Sequence, residues 1–282
     1  MSEPRVVTAG DRIGAPVMRL LLAAVRASDI EIAEHESVQA IGRGAGTGPV
    51  VATDRRELQA GAVVVATGGG SWARAQASGV ASSNPKNANH VLQTALVDAG
   101  LATVDAGIYQ YQPFGDVRSL DDSGVGKLIP ESIASTGVRL LDSRGHEIIS
   151  PLAGRLAVTE AIEATISSGG GISSDDGRTG VLLTMSDVAV DWLEQHYPTL
   201  TRRLRSRGDL GEDLIVSPFV HYQLGGLAVR ARGATAVPGL FLAGEITGGL
   251  HGRNRLMGNG LTDALVHGRI AGSAAAASIK GG

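Results

Sequence analysis

The stretch that decides the fold reads Val237-Pro238-Gly239-Leu240-Phe241-Leu242-Ala243-Gly244-Glu245, and beyond it His251-Gly252-Arg253-Asn254-Arg255-Leu256-Met257-Gly258-Asn259-Gly260-Leu261. Pro238-Gly239 is a turn signal, Leu240–Leu242 a short buried strand, and Glu245 an acidic residue at the carboxyl end of that strand. A carboxylate in that position accepts hydrogen bonds from sugar-type hydroxyls. Gly258-Asn259-Gly260 then opens a helix expected to begin near Leu261. Its first N–H groups have no intrahelical acceptors and sit at the positive end of the helix dipole, where an electron-rich ring edge or an oxyanion is held.

Working outward, Ala62-Val63-Val64-Val65-Ala66-Thr67-Gly68-Gly69-Gly70 reads as a buried parallel strand that ends in a tight loop. Ligands of open α/β sheets bind at such carboxyl ends, although a plain strand and turn fits the same residues taken alone. Composition agrees with this class. The 282 residues are 43% hydrophobic, 19% charged and 3% aromatic, with 40 glycines. That glycine share is roughly twice the usual ~7%, as close backbone approaches require. A formal net charge of -3 argues against a nucleic-acid binder, and the absence of cysteine excludes disulfides, thiolate metal sites and iron–sulfur ligation by this chain. No metal-spaced cluster and no G-x-S-x-G elbow occurs, which sets a metal enzyme or hydrolase aside. No apolar run is long enough for a membrane span and the first residues lack a signal-peptide core, so the expected location is the cytoplasm.

Strands are expected at Val6–Thr8 and Asp29–Ile41, and helices at Ala15–Ala27, Asn89–Ala99 and, closing the chain, Ser273–Ile279. Gly42–Pro49 carries glycines at 42, 44, 46 and 48. A dinucleotide fingerprint needs G-x-G-x-x-G between a strand and a helix, so this spacing reads as a hairpin loop returning into Val50–Thr53. Composition turns more polar from about Gly107 to Pro218. The expected organisation is therefore a discontinuous domain over 1–106 and 219–282, interrupted by an inserted α+β domain over 107–218.

Several blocks, in order, resemble the fumarate reductase and succinate dehydrogenase flavoprotein family, which includes L-aspartate oxidases and ketosteroid dehydrogenases. They are Gly10-Asp11-Arg12-Ile13-Gly14, Val64–Gly69, Pro151-Leu152-Ala153-Gly154-Arg155, His221-Tyr222-Gln223-Leu224-Gly225-Gly226, Gly239–Glu245 and His251–Leu261. The resemblance implies an α/β fold: an FAD-binding domain with an incomplete Rossmann-like sheet, its first βαβ unit missing, plus a mobile α+β capping domain with the active site between them. It implies FAD as cofactor, held by Ala66, Thr67, Gly68, Gly69, Glu245, Asn259, Gly260 and Leu261. Arg155, His221 and Arg255 are the implied catalytic residues, Arg255 and His221 holding a carboxylate or carbonyl and Arg155 handling the proton. Glu131 matches the acidic member of the family's proton path, and His251 and His267 are expected to be structural.

The implied activity is hydride transfer between flavin N5 and an activated C=C or C–C bond of a carboxylate or enone-type substrate. Implied partners are a chain supplying the G-x-G-x-x-G unit that binds the ADP half of FAD, absent from these residues, and a separate electron-transfer protein. Departures from the family pattern point elsewhere. Gln-Phe-His-Pro-Thr-Gly stands here as Gln110-Tyr111-Gln112-Pro113-Phe114-Gly115, Asn89-His90 falls in a block that is usually Thr-Gly-Asp-Gly, Asn-Ser-Leu is Asn259-Gly260-Leu261, and the Arg expected after Glu131 is Ala134. These changes disfavour fumarate and suggest a larger, less charged substrate against Phe114. They also leave an alternative, a non-catalytic homologue acting as a binding or regulatory subunit.

Overall fold

The computed structural model describes residues 13–43 and 48–280. The expected strand at Val6–Thr8 and the Gly10-Asp11-Arg12 part of the first family block lie outside the described residues. The described chain divides into two compact units, one of residues 13–30, 75–85 and 111–220, the other of residues 31–43, 48–74, 86–110 and 221–280.

A sheet built mainly from the first unit runs in the order Lys127–Leu128, Tyr109–Asp116, Leu214–Gln223, Thr179–Leu183, Leu140–Leu141, Glu147–Ile149, with Ile172–Ser173 added beside Thr179–Leu183. Val181 faces Val216 and Leu183 faces Leu214 across an antiparallel pair. The helices Arg155–Ser167, Val190–His196 and Pro198–Arg207 bury Val158, Ile162, Leu193, Leu200 and Leu204 in the same aliphatic core. Pro198 opens its helix, where a missing N–H costs nothing, and Gly208 closes it in the left-handed conformation. Beside the core, the fully buried Asp116 lies 3.3 Å from Arg203 and 3.0 Å from Arg207. Asp209 in turn bridges Arg207 and Arg118. The helix Gly14–Arg26 forms where its apolar spacing predicts, yet buries none of its residues.

The same core corrects one expectation. Phe114 is 1% exposed among Ile129, Ile133 and Leu140, and Gln112 folds back so that its Oε1 accepts the Phe114 N–H at 2.6 Å. Neither side chain offers a substrate surface. Alternation on a strand put Phe114 on the core face, and an aromatic ring buries more apolar area than the threonine it stands for.

The second unit holds a three-stranded antiparallel meander, Val38–Arg43, Pro49–Thr53 and Glu57–Gln59, as the hairpin reading requires. The expected strand over Asp29–Ile41 starts only at Val38. A turn at 34–35 with His35 at φ 57° breaks extended backbone before it. Val63–Val65 pairs in parallel with Leu240–Leu242, Val63 facing Leu240 and Val65 facing Leu242. Leu240–Leu242 is buried throughout, but of the three valines only Val65 is buried and Val64 is 37% exposed. Gly226–Leu227 pairs antiparallel with Thr103–Val104. Helix Val91–Asp98 buries Leu92 and Leu96 against Val65, Leu227, Leu240 and Leu242. The final helix, Asn259–Lys280, places Ala271 and Ala275 against Phe241 and Ala243, the small side chains that let a helix lie close on a strand pair. No helix among the described residues is long and apolar enough to cross a membrane.

Candidate functional site

The second unit gathers most of the residues that the sequence singles out. Its parallel strand pair ends in two loops, Ala66–Gly70 after one strand and Gly244–Ile246 after the other. Gly68 has φ 78° and Gly244 φ 75°, so both turns use backbone that only glycine adopts without strain. Together they bring Glu245 beneath the glycine loop. Its Oε1 accepts the Gln223 N–H at 2.8 Å and the Ser71 hydroxyl at 3.3 Å. A Cβ on Gly69 would lie 2.5 Å from that oxygen and 2.8 Å from the Gln223 Cβ, so only glycine fits there. Burial raises the Glu245 carboxyl above the ordinary carboxylate range, and the bonds from Gln223 and Ser71 with the nearby Arg255 charge only partly oppose it. Ala66 and Thr67 are exposed at the mouth of the loop.

Gln223 ties this loop down. Its Oε1 accepts the Gly70 N–H at 2.6 Å, and its Nε2 donates to Gln93 Oε1 at 2.9 Å and to the Gly225 carbonyl at 2.8 Å. His90 fills the space above Gly70, where a Cβ would clash, and shares a 2.6 Å hydrogen bond with the Tyr109 hydroxyl. Burial lowers the His90 imidazole below its usual value, favouring the neutral ring.

The second half of the site is the start of the final helix. Arg255 is 7% exposed, and its guanidinium carbon lies 4.3 Å from the centre of the Tyr222 ring. Gln110 Nε2 donates to the Arg255 carbonyl at 2.9 Å and to Asn254 Oδ1 at 2.8 Å, which fixes the segment leading to the helix. Gly260 closes the packing: a Cβ there would sit 3.0 Å from the Tyr222 ring and 3.5 Å from the Arg255 guanidinium. The helix begins at Asn259, two residues before the expected position, with Asn259 exposed and Gly260 and Leu261 half-buried. Its first-turn amides are thus presented beside a fixed cation, a pairing suited to an anionic oxygen or ring edge.

His221 is half-buried and immediately precedes Tyr222 on its strand. The neighbouring Tyr222 ring carries the Arg255 guanidinium on its face. Arg155 belongs to the first unit, at the first turn of its helix. It forms a two-point contact with Glu131, Nε to Oε1 at 2.8 Å and Nη2 to Oε2 at 2.5 Å, while Nη1 is buried without an acceptor. Arg155 therefore carries a preorganised guanidinium with one buried donor that no protein acceptor uses. His251 and His267 both reach Asp263 on the final helix, at 3.4 Å and 2.5 Å.

Sequence reasoning missed Tyr222, Gln223, Ser71, Gln110 and Asp263 as functional positions. Tyr222, Gln223 and Gln110 stood inside quoted blocks, where other residues drew the attention. The others are single polar residues on apolar backgrounds, and only folding shows what they touch.

The residues present fit a flavin on two counts. Gly69 lets the loop lie directly on Glu245 and Gly260 lets the helix start lie on Tyr222 beside Arg255, and the donor set offers a carboxylate for hydroxyls with a cation and helix amides for an electron-rich ring edge. Comparison with known proteins points the same way. The FAD binding domain family matches residues 1–261. The chain is 31% identical to the L-aspartate oxidase of Streptomyces coelicolor over 96% of its own length and 48% of that protein. It is 35% identical to a fumarate reductase (CoM/CoB) chain of Methanothermobacter marburgensis over 63% of its length and 33% of that protein. A solved quinol-fumarate reductase with menaquinol molecules shares the fold, with a TM-score of 0.84 at 23% identity over 97% of this chain and 50% of that one. The chain spans about half the length, or less, of these curated relatives.

Proposed function

The chain belongs to the FAD binding domain family, among the fumarate reductase and succinate dehydrogenase flavoproteins, and on that premise we propose that it is the flavin-ring and capping portion of an FAD-dependent oxidoreductase acting on CH–CH bonds. The observation that carries this reading is the pinned Glu245 beneath Gly69, next to an Arg255 stacked on Tyr222 at the start of the final helix.

Ala66, Thr67, Gly68, Gly69 and Glu245 hold the ribityl side of the cofactor, and Asn259, Gly260 and Leu261 its pyrimidine edge. When bound, FAD supplies a hydride acceptor or donor at N5. This chain's own residues do the rest. Arg255 binds the carboxylate or carbonyl oxygen of the substrate with His221, and a buried, planar guanidinium suits two-point pairing. Arg155, aligned by Glu131, holds or delivers the proton through its free Nη1. We place the Rossmann-like domain on 1–106 and 219–282 and the capping domain on 107–218. Burial of Phe114 removes the one substrate contact expected there, so recognition falls on Arg255 and His221 and the substrate class is a carboxylate or enone.

No G-x-G-x-x-G occurs within these residues. The ADP half of FAD is held by polypeptide outside them, and electrons pass to or from a separate carrier.

The test is to purify the chain with a polypeptide carrying a G-x-G-x-x-G unit, add FAD, and record the flavin spectrum after gel filtration and its reoxidation by enoates and enones. Retained flavin that turns over, with turnover lost in Arg255→Ala, is the expected result. A colourless assembly overturns the reading and leaves the chain as a non-catalytic homologue.

A further inference from the structure

Asp263 is a buried carboxylate of the final helix on which three side chains converge. It is 5% exposed on the second turn of the final helix. Its Oδ1 accepts from His267 Nδ1 at 2.5 Å, one helical turn on. Its Oδ2 accepts from the Tyr222 hydroxyl at 3.3 Å and faces His251 Nε2 at 3.4 Å. His251 also meets the Tyr222 ring edge-on, with centroids 5.6 Å apart and planes at 73°. Three side chains, from the helix, a strand and a loop, thus converge on one buried carboxylate.

The consequence runs through the ring. One end of Tyr222 is its hydroxyl, held by Asp263, and the face of the same ring carries the Arg255 guanidinium. The ring also touches the space at Gly260, where a single added carbon would be 3.0 Å from it. It cannot tilt without displacing either the guanidinium or the start of the helix. A phenol tied at its far end to a buried carboxylate is a rigid platform, and a cation on a rigid, desolvated platform keeps one orientation. We infer that Asp263 is a positioning residue: acting through the Tyr222 hydroxyl, it fixes the direction in which Arg255 presents its guanidinium. His267 and His251 hold the carboxylate in place for that task. The inference about geometry stands on these contacts, and its bearing on substrate rests on the oxidoreductase reading.

The experiment separates the two. Arg255 reactivity toward phenylglyoxal, followed by peptide mapping, reads the order of the guanidinium without flavin or turnover. Arg255 is expected to react slowly in the wild-type chain and about fivefold or more faster in Asp263→Ala and in Tyr222→Phe, with the double variant no faster than either single one. Asp263→Asn, which keeps an acceptor oxygen and the side-chain shape, is expected to retain most of the protection, and Tyr222→Phe carries the test if the alanine variant does not fold. In the flavin-loaded assembly the same variants are expected to raise KM about tenfold while kcat stays within about threefold. Unchanged Arg255 reactivity in Asp263→Ala or in Tyr222→Phe, or effects that multiply in the double variant, overturn the inference. A kcat loss with KM unchanged also overturns it. Coupled reactivity in a wild-type chain that shows no flavin turnover sinks the oxidoreductase reading and leaves the positioning role standing.

Discussion

The guanidinium of Arg255 lies on the face of the Tyr222 ring, 4.3 Å from its centre, with both residues at least nine-tenths buried. A desolvated cation on an aromatic face is worth about 2 kcal/mol. Tyr222→Leu is therefore expected to lower unfolding stability by about 2–4 kcal/mol in urea titration, from the lost ring contact and the volume left behind. Tyr222→Phe keeps the ring and gives up only the hydroxyl's bond to Asp263, at about 1 kcal/mol.

Gly69 and Gly272 make a contrasting pair. Alanine at Gly69 puts a methyl group 2.5 Å from Glu245 Oε1, whereas at Gly272 of the final helix nothing lies within 4 Å. Gly69→Ala is expected to destabilise by about 1–3 kcal/mol and to lose flavin. Gly272→Ala is expected to stabilise by about 0.5–1 kcal/mol, with flavin retained. Thermal melts and flavin titration of the two variants check both.

Burial lifts the Glu245 carboxyl above its ordinary value of 4.5. The folded chain then keeps a proton at pH values where the unfolded chain has released it. The stability from the neutral group is full below the ordinary value and is lost as pH rises through the raised one. Glu245→Gln is neutral at every pH and keeps an acceptor for the Gln223 amide. It is expected to be more stable than the wild type at neutral pH, the advantage fading as pH falls to about 4.5 and below, in denaturant titrations across that range.

Arg155 meets Glu131 through two parallel bonds, which a lysine cannot copy. Arg155→Lys preserves the charge and abolishes the aligned fork. Turnover is expected to fall at least about a hundredfold, with stability lower by about 1–2 kcal/mol. Single-turnover kinetics beside a urea titration separates the two effects.

Asp116, 1% exposed, is the counter-ion of Arg203 and Arg207. Asp116→Ala leaves two partly buried guanidinium groups with less compensating charge. A loss of about 3–5 kcal/mol in urea titration is expected.

What the sequence revealed and what it hid follow from how each feature is encoded. The strands Val63–Val65 and Leu240–Leu242, the hairpin after Val38–Arg43 and the final helix are written in local apolar patterns and turn residues, and they form where those patterns lie. The carboxylate at the end of Leu240–Leu242 was legible for the same reason. Phe114 was misread because a block match gives the residue type and not the face it occupies, and here the core took the ring. Tyr222, Gln223 and Asp263 were hidden because their roles depend on partners that the fold alone supplies: Gln93 for one, and for another His251 and His267 around a shared carboxylate.

The Gly70 amide reaches the Gln223 side chain across 153 residues of sequence. At ~5–20 residues per second a ribosome needs roughly 10–30 s to make that interval. Throughout it the glycine loop and its three valines wait for an acceptor and a neighbouring strand that do not yet exist. The half-made protein thus leaves this loop unpinned until roughly its last fifth emerges, and slower elongation lengthens the period in which it is open to misassembly.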